Sequence, residues 1–173
     1  QIKTIISKWI TKKEDVSNFL KQIKLSPFYD TAMRPLTLSH LCAIYERKRA
    51  IPSKPRYVYD FIIELLLERW DQERAIIRPS EYADFYIEKK KEFLAHLSYL
   101  LSYQMNINVF SSDDIGKCYK QIHTTHNLPK SQATKIVREI ESHTGIFVQT
   151  SQNLYQFSHK SLQEFLTAKY ICS

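Results

Sequence analysis

Gly116 and Gly145 are the only glycines in this 173-residue chain. An ordinary globular sequence is about 7% glycine. Glycine supplies the positive-φ corners of tight turns and lets backbone approach a ligand closely. A chain this poor in it is limited to few hairpins and must spend most of its length on elements that need no such corners. Its Leu, Ile, Lys and Glu content suits helix. The same scarcity excludes whole function classes. A phosphate-cradling loop and a dinucleotide fingerprint each need several glycines close together, and neither can be built here.

Apolar spacing predicts a succession of helices. Thr11-Lys-Lys-Glu14 has the form of a capping box, opening a helix to about Leu25 with Val16, Phe19, Leu20 and Ile23 on one face. Ser26-Pro27 predicts a short helix, proline suiting a first helical position. Arg34-Pro35 predicts another, striped by Leu38, Leu41, Cys42 and Tyr45. Ser53-Lys-Pro55 opens a long helix on which Val58, Phe61, Ile62, Leu65, Leu66 and Trp70 recur; Ile63 and Leu67 widen that face, which predicts burial on two sides. After a break at 76–80, a helix over 84–104 turns Phe93, Leu94, Leu97, Leu100 and Leu101 inward. Two more helices are expected, from Ser112 to about His123 and from Pro129 or Ser131 to about His143.

Near Gly145 the period changes from helical to alternating. GIFVQT, SQN and LYQFS read as strand, turn and strand, followed by a helix from about His159 to Ile171. The expected fold is therefore mainly α, a helical bundle over 1–78 followed by a winged-helix domain over 79–173 with one β-hairpin wing. The start lacks a signal-peptide pattern, no apolar run approaches the roughly 18–20 residues of a membrane span, and both ends read as edges of a longer protein. Cys42, Cys118 and Cys172 are scattered without paired spacing, as expected of reduced thiols in the cytoplasm.

The net charge of +7 invites a nucleic-acid reading. Its distribution weakens that reading. Residues 1–50 carry ten Lys/Arg against four Asp/Glu, whereas 79–173 carry ten against nine. The helix before the wing mixes Lys130, Lys135 and Arg138 with Glu139 and Glu141, and the wing tip QTSQN has no cation. Affinity for DNA comes mainly from neutralising phosphates, so this segment is poorly equipped for it. Lys89-Lys90-Lys91 reads as a solvated helix face. His123-Thr-Thr-His126 lacks the spacing and the accompanying acid or thiol of a zinc site, and no nucleophile motif appears. No catalytic residue and no metal ligand is assigned.

One residue stands apart. In FSHKSLQEFL, residues 157–166, His159 sits where the second strand becomes the last helix. Ser158 or Ser161 can cap that helix, and Ser161-Leu-Gln-Glu164 itself has capping-box form. Helix starts gather free N–H groups and the positive dipole end, which favour an anion. The ring can pack under the hairpin, or it can donate to a phosphate; composition leaves both open.

Two segments resemble the NACHT class of STAND nucleotide-switch ATPases, the group of NOD-like receptors and bacterial antiphage sensors. One is Arg34-Pro-Leu-Thr-Leu-Ser-His-Leu-Cys-Ala-Ile-Tyr45 with Tyr59-Asp-Phe-Ile-Ile-Glu-Leu-Leu-Leu-Glu-Arg-Trp70. The other, more specific, runs from Gly145-Ile-Phe-Val through Tyr155-Gln-Phe-Ser-His159-Lys-Ser-Leu-Gln-Glu-Phe-Leu166. Arg34, Lys160 and Leu162 depart from the commonest forms without touching the residues of interest. The resemblance implies a helical domain and a winged helix that follow a nucleotide-binding core. It implies that His159 contacts the β-phosphate of ADP at rest and that Pro35 packs near the adenine. It further implies ADP/ATP with Mg held by an upstream core in the same chain, homo-oligomerisation on activation, and a role in antiviral or innate immune defence. The chain itself, without a P-loop, is expected to be non-catalytic and to bind nucleotide weakly or not at all on its own. The rival expectation is a stand-alone basic winged-helix nucleic-acid-binding module; a third is an adaptor docking through its basic first fifty residues.

Overall fold

The computed structural model describes residues 2–30, 32, 34–74, 86–139 and 144–173. The chain divides into two compact units, 1–62 and 63–173, the division falling within one helix. The break expected at 76–80 lies outside the described residues.

In the first unit, α1 (Ile2–Trp9), α2 (Lys13–Leu25), α3 (Pro35–Lys48) and the start of α4 (Pro55–Arg74) enclose one core. The helical stripes of the sequence are its substance. Phe19, Ile23, Leu38, Leu41, Cys42 and Tyr45 are all buried, and Phe19 meets Tyr45 edge to face at 5.2 Å. Such a pair adds about 0.5–1.5 kcal/mol beyond the area it buries. The capping box expected at Thr11 does not form: the helix starts one residue later, behind Lys12, without a side-chain cap. Ser26-Pro27 opens a turn over residues 26–30, with Ser26 Oγ accepting from Phe28 N–H at 3.2 Å. Serine competes with helical bonding in this way by offering the backbone a local acceptor.

The second unit contains the rest of α4, then α5 (Ile87–Tyr99), a π-turn (Leu100–Gln104), β1 (Val109–Ser111), α6 (Ser112–Ile122), α7 (Ala133–Glu139), β2 (Phe147–Ser151), β3 (Leu154–Phe157) and α8 (Lys160–Ile171). Helix, short strand, helix, helix, hairpin is the order of a winged helix-turn-helix, and α8 follows the wing. All strand pairs are antiparallel, in the order β1-β3-β2. The hairpin turns on Gln152 and Asn153, with Asn153 at φ 62, a corner asparagine tolerates. Gly145, at φ 64, makes the bend that leads into β2. Beneath the sheet, Phe110, Phe147 and Phe157 form a mutual edge-to-face triad with centroids 4.9–5.9 Å apart.

Lys89-Lys90-Lys91 is not a solvated face. Lys90 and Lys91 are buried, each only 3% exposed, and Lys91 Nζ pairs with Glu64 of α4 at 2.9 Å and Glu88 at 3.4 Å. A helix turns about 100° per residue, so three successive lysines spread over more than half its circumference and cannot share one wet side.

Candidate functional site

His159 is the residue between β3 and α8, and two backbone bonds fix its place. The preceding Ser158 N–H donates to Ile146 O at 2.8 Å, which ties the end of the hairpin to its beginning. His159 O accepts from Leu162 N–H at 3.0 Å, which starts the helix. His159 is thus the N-cap of α8, with extended backbone (φ −144, ψ 129). Neither Ser158 nor Ser161 caps the helix with its side chain, and the capping box expected at Ser161 is absent. Ser161 instead lies inside the first turn, its Oγ 2.6 Å from His159 Nδ1.

The imidazole is neither sealed in the core nor fully exposed. Phe157 two residues before it and Leu162 three after it are buried, and they carry the strand and the helix that hold it. Among the described residues, its Nε2 has no hydrogen-bond partner. The neighbouring Lys160 and Glu164 face solvent and form an i,i+4 pair at 3.8 Å, worth a few tenths of a kcal/mol.

α8 is held by a polar seam against α5 and the π-turn. The buried Gln163 donates through Nε2 to Ser102 Oγ at 2.8 Å and to Ile107 O at 3.3 Å. Ser98 Oγ donates to Gln163 O at 2.9 Å, and Thr167 Oγ1 reaches both serines at 3.2 Å. The π-turn makes this possible. Met105 N–H reaches back five residues to Leu100 O, at 3.0 Å, and the widened turn lets Leu100 and Leu101 bury while Ser102 meets α8. Such insertions are frequent at functional sites.

Residues 56–171, about two thirds of the chain, match a family described as the winged helix-turn-helix domain C-terminal to NACHT. The chain belongs to that family. No curated protein and no solved structure matches it.

Pro35 lies in the first unit, outside the span that matches the NACHT-associated winged helix, at the first position of α3. It is exposed, and its carbonyl accepts from Ser39 Oγ at 2.9 Å. His123 and His126 turn to different partners. His123 Nδ1 lies 3.2 Å from Leu128 O, while His126 Nε2 lies 3.2 Å from His96 Nδ1. Among the described residues no helix is long and apolar enough to cross a membrane. Sequence reasoning missed the Ser161–His159 contact and the role of Gln163. The first was hidden because a Ser just inside a helix start reads as a cap. The second was hidden because a lone Gln in a helix reads as surface.

Proposed function

We propose that this domain is the regulatory arm of a NACHT-type nucleotide-switch ATPase. A nucleotide-binding core upstream in the same chain carries the P-loop and its Mg, and ADP is held at rest between core and arm. His159 donates to the β-phosphate, and the exposed Pro35 packs against the adenine. Exchange of ADP for ATP releases the arm and permits homo-oligomerisation, in cytoplasmic antiviral or innate immune signalling. The arm itself catalyses nothing.

Family membership supports the context. The observation that carries the site is the placement of His159: a half-exposed ring at a helix start, tied at one nitrogen, with the other left without a partner among the described residues. A charge-assisted hydrogen bond is worth about 1.5–3 kcal/mol, within the usual span of allosteric couplings. The nucleic-acid reading gains nothing comparable, since the hairpin from Phe147 to Phe157 has no charged side chain. Calorimetric ADP titration of the protein with its NACHT core tests the proposal. His159→Ala should weaken ADP binding by roughly ten- to a hundredfold and raise the oligomeric fraction in its absence of trigger. Unchanged affinity and an unchanged resting state would refute it, as would micromolar ADP binding by residues 1–173 alone.

A further inference from the structure

We infer that Ser161 is a positioning residue: its hydroxyl donates to His159 Nδ1 and fixes the ring as the Nε2–H tautomer, so that an uncharged imidazole presents a donor to a phosphate oxygen. The inference rests on the nucleotide-clasp reading for its ligand, but not for the tautomer itself.

A neutral imidazole has one N–H and one lone pair, and the group that meets one nitrogen decides the role of the other. Only the Nε2–H form can donate outward here, because Nδ1 is already engaged by Ser161. Two features make the hydroxyl the donor. A helical serine usually spends its proton on a carbonyl one turn back. Ser161 has no such acceptor among the described residues, and the ring nitrogen takes its place. The other is that Nδ1 lies against Ser161 in the first turn of α8, where backbone N–H groups create positive potential. That potential favours a lone pair over a proton on the near nitrogen and sends the proton to the far one.

The geometry gives Ser161 a task distinct from capping. Without the hydroxyl, the ring would rotate about its side-chain bonds and exchange tautomers, and only part of the population would present a donor. Affinity for a phosphate falls in proportion to the fraction of the competent form.

The test has two arms. In the first, ring-15N-histidine NMR of residues 1–173 is recorded at about pH 8.5, where ordinary imidazoles are neutral. His159→Gln identifies the His159 signals. The expected result is one pyrrole-type shift at Nε2 and one pyridine-type shift at Nδ1, drawn together in Ser161→Ala and restored in Ser161→Thr. A protonated Nδ1, or averaged shifts already present in the natural chain, overturns the inference. In the second arm, ADP is titrated into the protein with its NACHT core. Ser161→Ala should weaken binding about three- to tenfold, with Ser161→Thr close to the natural protein. Loss of binding with His159→Ala but none with Ser161→Ala also overturns the positioning role. If His159→Ala leaves ADP binding intact, the clasp fails, and the NMR arm still decides whether Ser161 sets the tautomer.

Discussion

The His126 ring offers the most quantitative test of the second unit. It sits half-buried after α6, edge-on to Phe93 at 5.5 Å, with Nε2 3.2 Å from His96 Nδ1 of α5. His96 in turn stacks on Tyr170 of α8 at 4.3 Å and meets its hydroxyl through Nε2 at 3.0 Å. Burial pushes His126 down from the ordinary 6.5 to about 4, with the charge of His96 adding to the effect; burial lowers His96 too. The fold therefore prefers a neutral ring. Its contribution is fully present above about pH 6.5, shrinks as pH falls through the window from 6.5 to about 4, and levels off below. At 1.36 kcal/mol per unit the whole displacement would amount to about 3 kcal/mol. The ring is only part-buried, and solvent screening reduces this to about 1–1.5 kcal/mol, or a melting shift of about 3–5 °C for a chain of this size.

His126→Gln keeps a polar partner for His96 and removes the titration. Thermal melts of both proteins between about pH 7.5 and about pH 4.5 should diverge, the natural chain losing the extra 3–5 °C on acidification. Parallel curves, or a natural chain that gains on the variant in acid, would refute the reasoning, because the pair would then be accepting a shared proton rather than resisting it.

Lys91→Ala should cost about 2–3 kcal/mol in urea unfolding, since it empties a buried site and leaves Glu64 without its partner; a change below about 0.5 kcal/mol would mean the pair is a surface contact. Gln163→Ala should cost about 1–3 kcal/mol by the same measurement, because it empties a buried site and removes the side-chain donor to Ile107 O and one of the donors to Ser102 Oγ. Burial raises the Cys42 thiol to about 12, with Glu46 adding, and Cys118 to about 11, with Asp114 adding, whereas Cys172 is exposed. Titration with a thiol reagent at neutral pH should thus find one reactive cysteine in the folded chain and three after unfolding.

Much of the fold is legible in the sequence because its helices bury long, regular stripes. Leu38, Leu41, Cys42 and Tyr45 repeat at helical spacing, and all four are in the core. The hairpin is announced by its alternation and by Gly145. β1 is not: Val109–Ser111 is three residues long and acquires strand geometry only by pairing with β3. The π-turn is equally silent, since its five-residue reach depends on what α8 presents to Leu100–Gln104. The buried lysines were misread because a charge run says nothing of the acid another helix will supply. At the candidate site, the sequence singles out His159 through its motif. Which nitrogen is tied, and by which hydroxyl, depends on a turn geometry that no residue pattern encodes.

β3 is the middle strand of its sheet, bonded to β1 on one side and β2 on the other, and only Ser158 and His159 separate it from α8. A hairpin gripped on a single edge can flap, but this one is clamped along both flanks of its second leg. The wing and the histidine therefore share one short run of backbone, and a tilt of the sheet reaches the residue that starts α8 across a single intervening serine.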